Sequence, residues 1–169
     1  VHYAMGLTRE GRITAVRCRI VADGGAYCSV TPWVTGRSTV QCCGPYDVPN
    51  VHCDTYGVYT NNPVTGAMRG FGSPQMNFVV DSMIEIAAER LELPSLAIRR
   101  LNMVKQGSTT ITGQKLDDHT VAMEQVMDAV VKEIGYEEKL KKSARGSGDA
   151  EEMYGIGLAI SYRGVSLGA

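Results

Sequence analysis

The sequence predicts an α+β fold in which a mixed sheet packs against helices. Alternation of apolar and polar residues, typical of strands, dominates the first third of the chain. Apolar residues at three- and four-residue spacing, typical of helices, dominate residues 73–134. The strand and helix signals do not follow the regular rhythm of a doubly wound domain, and no internal repeat is apparent. We therefore expect a sheet formed early in the chain and covered by helices.

Three strands and a short helix are predicted in the first sixty residues. The segments 2–5 and 13–22 flank the turn sequence Thr8–Arg12, which contains a glycine, so they predict a hairpin with one buried face. A helix of two to three turns is expected over 35–43. Residues 51–60 return to alternation with β-branched and aromatic side chains, which favours a third strand.

The second half of the chain is predicted to be mainly helical. A long amphipathic helix is expected after Ser73, with this serine as its N-cap, and a second helix begins at Pro94. A third helix is expected over 120–134. The polar stretch 139–152 is typical of a linker, and the small and apolar residues of 154–162 predict another strand.

Composition excludes several classes of function. The chain has 169 residues, 44% hydrophobic residues and a net charge of −1, so it is globular and lacks the basic character of a nucleic-acid-binding protein. No apolar run is long enough to span a bilayer, and no signal pattern is visible, which predicts a soluble, cytoplasmic protein. The cysteines are odd in number, contain no C-x-x-C pair and are expected to be reduced thiols: Cys18, Cys28, Cys42, Cys43 and Cys53.

The most informative motif is Gly66–Gln75, which reads GAMRGFGSPQ. Three glycines within seven residues permit unusual backbone angles and a close approach to a ligand, and a helix start follows at once. Such a helix N-terminus favours an anion, while Arg69 and Phe71 add a positive charge and a flat ring. The motif predicts a loop that binds a polar group beside a planar one, and a phosphate or nucleotide remains an alternative ligand.

Common catalytic motifs are missing from the sequence. The glycine spacing fits neither G-x-G-x-x-G nor the P-loop, and no nucleophile elbow or His-Glu-x-x-His pair is present. The three histidines, His2, His52 and His119, are scattered. We expect neither a catalytic residue nor a metal bound by side chains in this chain.

Several separated motifs resemble the xanthine dehydrogenase family of molybdenum hydroxylases. Thr60–Pro63 followed by Gly66–Gln75 resembles the molybdopterin-contacting loop of that family, while Gly44–Asn50 and Leu93–Asn102 resemble its flanking turns. The resemblance extends from about Tyr3 to Ala169 and corresponds to a central fragment of the large, molybdopterin-binding subunit. It implies that 1–138 ends the first cofactor-binding lobe, 139–152 is a linker, and 153–169 begins the second lobe.

The resemblance also implies roles for single residues. Phe71 matches an aromatic residue that stacks on a planar substrate, and Arg37, by its interval to Asn50, matches an arginine that anchors a substrate carbonyl. Contacts to the cofactor are implied for the loop residues Gly66, Ala67, Met68, Arg69 and Gly70.

The function implied by this resemblance is hydroxylation of a purine or another aromatic N-heterocycle, with water as the oxygen source and molybdopterin as the cofactor. A member that oxidises aldehydes or carbon monoxide, or a non-catalytic binding or assembly module, is the alternative. The partners implied are the remainder of the molybdenum-binding subunit, iron–sulfur and flavin (FAD) subunits, and a heterocyclic substrate. Because the family's glutamate-containing segments lie outside the matched region, the isolated chain is expected to be inactive.

Overall fold

The computed structural model describes residues 1–118, 120–144 and 154–162, which contain three strands and five helices. The strands are β1 (His2–Leu7), β2 (Ile13–Asp23) and β3 (Val51–Val58). The helices are α1 (Thr31–Val40), α2 (Ser73–Leu91), α3 (Ser95–Asn102), α4 (Met123–Glu133) and α5 (Tyr136–Ala144).

The three strands form one mixed sheet in the order β1-β2-β3. β1 pairs with β2 in the antiparallel sense, with Tyr3 opposite Cys18, which confirms the predicted hairpin. β3 pairs with β2 in the parallel sense, with Cys53 opposite Cys18, and α1 lies in the connection between them. Parallel pairing requires such a crossover, because the chain must return to the end at which β2 began.

The core lies between one face of the sheet and α2. Val16, Cys18 and Ile20 alternate along β2 and are buried. From α2, the buried residues Met76, Val80 and Ile84 belong to the same apolar cluster. Burial of such side chains contributes roughly 1.5–3 kcal/mol each. The α+β prediction, a mixed sheet with packed helices, is confirmed.

Two buried polar side chains connect elements that are distant in sequence. The Asn102 amide oxygen accepts a hydrogen bond from the Ile13 amide at 2.8 Å, and its nitrogen donates to the carbonyl of Gly11 at 2.8 Å. Arg99, which is completely buried, donates to Glu85 at 2.7 Å and to Asp81 at 3.2 Å. These bonds attach α3 to the hairpin and to α2.

Some predicted boundaries differ from the structure. α1 begins at Thr31 instead of residue 35, because Pro32 occupies its first turn, where a missing amide hydrogen costs nothing. Residues 139–144 of the predicted linker 139–152 belong to α5, while 145–152 lie outside the described residues. The division into two lobes therefore stays a prediction.

The segment 154–162 is not a strand in the described structure. It pairs with none of the three strands, and it lies against α2 instead. The Ile160 amide donates to the Asp81 carboxylate at 3.1 Å, and the Asn77 amide group donates to the Ser161 hydroxyl at 2.8 Å. The apolar pattern therefore reflects packing against a helix.

Candidate functional site

The glycine-rich loop connects β3 to α2 and has an unusual backbone. Gly70, Phe71 and Gly72 all have positive φ, at 102°, 56° and 95°. For a residue with a side chain, such as Phe71, this conformation costs of order 1–3 kcal/mol and persists only where the surroundings impose it. Phe71 is half-buried. The backbone conformation of Phe71 is therefore imposed by its surroundings and not by its own preference.

The C-terminal end of the loop is pressed against α1. A Cβ at Gly72 would lie 2.4 Å from the Val34 carbonyl oxygen and 2.5 Å from the Ser38 Oγ. The Ser38 hydroxyl lies 3.3 Å from the Gly72 carbonyl oxygen, to which it donates. A Cβ at Gly70 would lie 2.4 Å from the Cγ of Pro74. Glycine is therefore needed at position 70, where Pro74 lies close, and at position 72, where α1 lies close.

The start of α2 differs from the prediction. Gly72 occupies the N-cap position, and Ser73 is the first helical residue. The predicted serine cap is wrong because the left-handed backbone of Gly72 already turns the chain into the helix. The Ser73 hydroxyl is buried and has no hydrogen-bond partner among the described residues. No side chain in the described part of the chain caps this helix terminus; the Ser73 amide donates to the Gly70 carbonyl at 3.0 Å, and Pro74 has no amide hydrogen.

The predicted cofactor-contacting residues form the exposed part of the loop. Within the described residues, the backbone amides from Gly66 to Gly70 donate to no protein acceptor, and two bonds, from Phe71 to Met68 and from Ser73 to Gly70, close the turn. Nothing lies within 4 Å of the Cβ position of Gly66, and 81% of Met68 is exposed. Consecutive free amides beside an uncapped helix are suited to bind anionic oxygen atoms. These residues fit the anionic end of molybdopterin.

Arg37 belongs to α1, the helix against which the C-terminal end of the loop packs. It is 8% exposed, and it follows Val34 and precedes Ser38, the residues that contact Gly72. The structure therefore brings the helix of Arg37 and the loop of Phe71 into contact, although they are separated by more than thirty residues of sequence. Arg37 also acts electrostatically on Tyr162, a residue whose pKa is raised chiefly by burial.

The N-terminal part of the loop is attached to the end of β2 by a residue that the sequence analysis did not single out. The Asp23 carboxylate accepts hydrogen bonds from the Thr60 hydroxyl at 2.6 Å, from the Gly25 amide at 2.9 Å and from the Asn62 side chain. These bonds lower the pKa of Asp23, with the Thr60 bond as the largest cause. The only signal in the sequence was the Asp-Gly-Gly break after β2.

Comparison with known proteins identifies the family. The family model described as "Molybdopterin cofactor-binding domain" matches residues 1–103, which is more than half of the chain. The chain belongs to this family. The matched region includes both the glycine-rich loop and Arg37. The prediction of a molybdopterin-binding member of the xanthine dehydrogenase family is confirmed, and so is the molybdopterin cofactor.

Individual relatives of this molybdopterin-binding chain are enzymes of several kinds. It is 40% identical over 140 residues to the nicotinate dehydrogenase large molybdopterin subunit of Eubacterium barkeri, covering 81% of this chain and 33% of the relative. It is 33% identical to the xanthine dehydrogenase of Emericella nidulans, covering 82% and 10%. It is 31% identical to the carbon monoxide dehydrogenase large chain of Afipia carboxidovorans, covering 92% and 20%. The chain thus spans a third or less of the length of these relatives.

Solved structures show the same fold. Quinoline 2-oxidoreductase from Pseudomonas putida 86 matches with a TM-score of 0.72 and 26% identity, covering 85% of this chain and 19% of that one. The aldehyde oxidoreductase of Desulfovibrio gigas matches with a TM-score of 0.75 and 24% identity, covering 85% and 15%. These similarities support the α+β assignment.

Two further features of the described residues bear on function. They contain no group of three or more His, Cys, Asp or Glu side chains arranged to hold a metal ion. Among the helices of the described part of the chain, none is long and apolar enough to cross a membrane. The roles of Phe71, Arg37 and the loop residues stay predictions.

Proposed function

We propose that this chain supplies the substrate-orienting face and part of the cofactor cradle of a molybdenum hydroxylase that oxidises a purine or another aromatic N-heterocycle with water. One observation carries the proposal. The contact between Ser38 and Gly72 joins α1 to the glycine-rich loop, so a buried arginine and a conformationally constrained phenylalanine lie on touching elements. The combination suits a substrate that is both flat and polar.

Each of the two residues has a distinct role in this proposal. Phe71 stacks on the heterocycle and holds it in the orientation needed for reaction, which is a positioning effect. Arg37 interacts with the polar edge of the substrate, and its burial strengthens the stabilisation of negative charge that develops there during attack. The loop amides from Gly66 to Gly70 would hold the cofactor. When bound, the cofactor supplies the oxidative hydroxylation chemistry.

The relative with 40% identity supports a heterocyclic substrate, since its name specifies nicotinate dehydrogenase. The proposal requires further protein: the rest of the molybdenum-binding subunit, and domains or subunits that hold iron–sulfur clusters and flavin. The complete enzyme would work in the cytoplasm. The 169-residue chain alone would be inactive, because it contains only one side of the site.

The test compares Phe71→Ala and Arg37→Met in the complete enzyme, with steady-state kinetics on nicotinate, xanthine and hypoxanthine. We expect kcat/KM to fall by at least about tenfold in each variant, as misplacing a bound substrate by about 1 Å can cost a hundredfold. Phe78→Ala is the matched control, because Phe78 is the chain's other phenylalanine and is 76% exposed on α2. Equal kinetics in the wild type and in both site variants would contradict the proposal.

A second candidate is an enzyme that oxidises carbon monoxide or an aldehyde. The observation that favours it is the 31% identity to a carbon monoxide dehydrogenase large chain, which extends over 92% of this chain. Such small substrates gain little from a stacking ring. Turnover of carbon monoxide or aldehydes that is unaffected by Phe71→Ala, with no turnover of heterocycles, would establish this candidate. A complete protein that lacks both molybdenum and pterin would instead be a non-catalytic binding module.

A further inference from the structure

We infer that Asp23 is a positioning residue that fixes the glycine-rich loop relative to the sheet. It acts on the stem of the loop, defined as residues 58–65, which connects β3 to the cofactor-contacting residues. The inference deepens the proposed function and rests on it, because the loop in question is the proposed cofactor and substrate site.

The first argument concerns the geometry of the carboxylate. Asp23 is the last residue of β2, and its Oδ1 accepts hydrogen bonds from the Gly25 amide and the Thr60 hydroxyl. Its Oδ2 accepts from the Nδ2 of Asn62, and its main-chain oxygen accepts from the Thr65 hydroxyl at 2.7 Å. One residue therefore contacts the stem at three places along its length. Bonds to an ionised acceptor are the shorter and stronger kind.

The second argument concerns the backbone around Asp23. The Gly24 amide donates to the Val58 carbonyl at 2.8 Å, and the Thr65 amide donates to the Gly24 carbonyl at 3.3 Å. Gly25 has a φ of 74°, and a Cβ there would lie 2.3 Å from the Pro63 carbonyl oxygen. Two further main-chain bonds, from the Thr60 amide to Gly25 at 3.0 Å and from the Ala26 amide to Asn62 at 3.1 Å, complete this contact, so the stem lies directly on the segment that follows Asp23.

The third argument concerns what else could hold the loop. Residues 59–72 contain no helix or strand, and the amides from Gly66 to Gly70 make no hydrogen bond within the described residues. The loop is therefore located by its two ends. Gly72 is fixed against α1, and Thr65, the last residue of the stem, is fixed by Asp23 and Gly24. Without the Asp23 side chain, the attachment at Gly72 is unchanged, whereas the attachment at the stem loses its bonds to the Thr60 and Asn62 side chains.

The hydrogen bond between Asp23 and Asn62 can be tested by swapping the carboxylate and the amide group of the two side chains. Asp23→Asn removes the negative charge and leaves one oxygen atom to accept from the three donors of Gly25, Thr60 and Asn62. Asn62→Asp places two carboxylates opposite each other. The double variant Asp23→Asn/Asn62→Asp restores one donor and one acceptor with the direction reversed. Asp118→Asn, an exposed acidic residue elsewhere in the chain, controls for the loss of one negative charge.

The first measurement is hydrogen exchange of the full 169-residue chain, followed at the stem amides of Thr60, Asn62 and Thr65. We expect each single variant to raise their exchange by at least about fivefold, in line with the loss of a hydrogen bond to a charged group. Exchange in α2 should stay unchanged, and the double variant should return the stem to within about twofold of the wild type. Unchanged stem exchange in Asp23→Asn, or no recovery in the double variant, would overturn the inference.

The second measurement is made on the complete enzyme. We expect Asp23→Asn to lower kcat by about tenfold when assayed well below its melting temperature, since a displaced loop misorients the substrate, and we expect the double variant to recover most of it. A lower melting temperature with kcat at the wild-type value, or no recovery of kcat in the double variant, would overturn the inference. If the wild type contains no molybdopterin, the proposed function fails, whereas the exchange measurement still decides whether Asp23 holds the stem.

Discussion

Substitution of Gly72 by alanine tests whether the loop adopts the conformation described. A residue with a Cβ at φ 95° costs about 1–2 kcal/mol relative to glycine. The added Cβ would also lie 2.4 Å from the Val34 carbonyl oxygen, which α1 holds in place, and relief of such overpacking typically costs about 1–3 kcal/mol. We therefore expect Gly72→Ala to lower the free energy of unfolding by about 3 kcal/mol. Urea denaturation followed by circular dichroism measures this change.

Gly36→Ala is the matched control for that experiment. Gly36 lies exposed within α1, and nothing lies within 4 Å of its Cβ position. Alanine in an exposed helix interior should raise the free energy of unfolding by about 0.5–1 kcal/mol. The reasoning is refuted if Gly72→Ala is as stable as the wild type while Gly36→Ala behaves as expected.

Three further predictions concern the rest of the chain. Arg99→Met should lower the free energy of unfolding in urea by about 3 kcal/mol, because it leaves the Asp81 carboxylate without its buried partner, and adding Asp81→Asn should recover part of the loss. Stability differences between the wild type and Asp23→Asn should shrink as the pH falls from about 6 to about 3. Hydrogen bonds lower the pKa of Asp23 in the folded state. The stability that its carboxylate contributes is therefore present above the unfolded-state pKa of about 3.9 and is lost as the pH falls through the folded-state pKa. A stability difference that does not change with pH would contradict this assignment. Thiol labelling followed by mass spectrometry should modify exposed Cys28 first, whereas burial raises the pKa of Cys18 to about 12 and should protect it until the chain unfolds; equal rates would contradict the described core.

The parts of the fold that the sequence predicted well are those with local periodic signals. The β1–β2 hairpin and α2 follow from alternation and from helical spacing, and both are present. The glycine-rich loop was recognisable from its composition, since closely spaced glycines weaken a helix or a strand and favour a loop that approaches a ligand. Its family assignment followed from motifs in a fixed order and agrees with the family match.

The features that were missed depend on tertiary contacts. Ser73 has the sequence pattern of a helix cap, but the contact of Gly72 with α1 decides where the helix starts. The segment 154–162 has the pattern of a strand, but it packs on α2 through Asp81. Asp23 is indistinguishable from an ordinary turn residue until the stem that it binds is seen. Such roles arise from residues far apart in sequence, and local patterns carry no information about them.

Cofactor binding is tested most directly by the cofactor content of the complete protein purified from its native host. Elemental analysis measures molybdenum, and fluorescence after oxidation measures pterin. We predict that both are present and that both fall clearly when the loop is disrupted by Gly70→Val, whose side chain would collide with Pro74. Absence of molybdenum and pterin from the wild-type protein would contradict the assignment of the glycine-rich loop to a cofactor site.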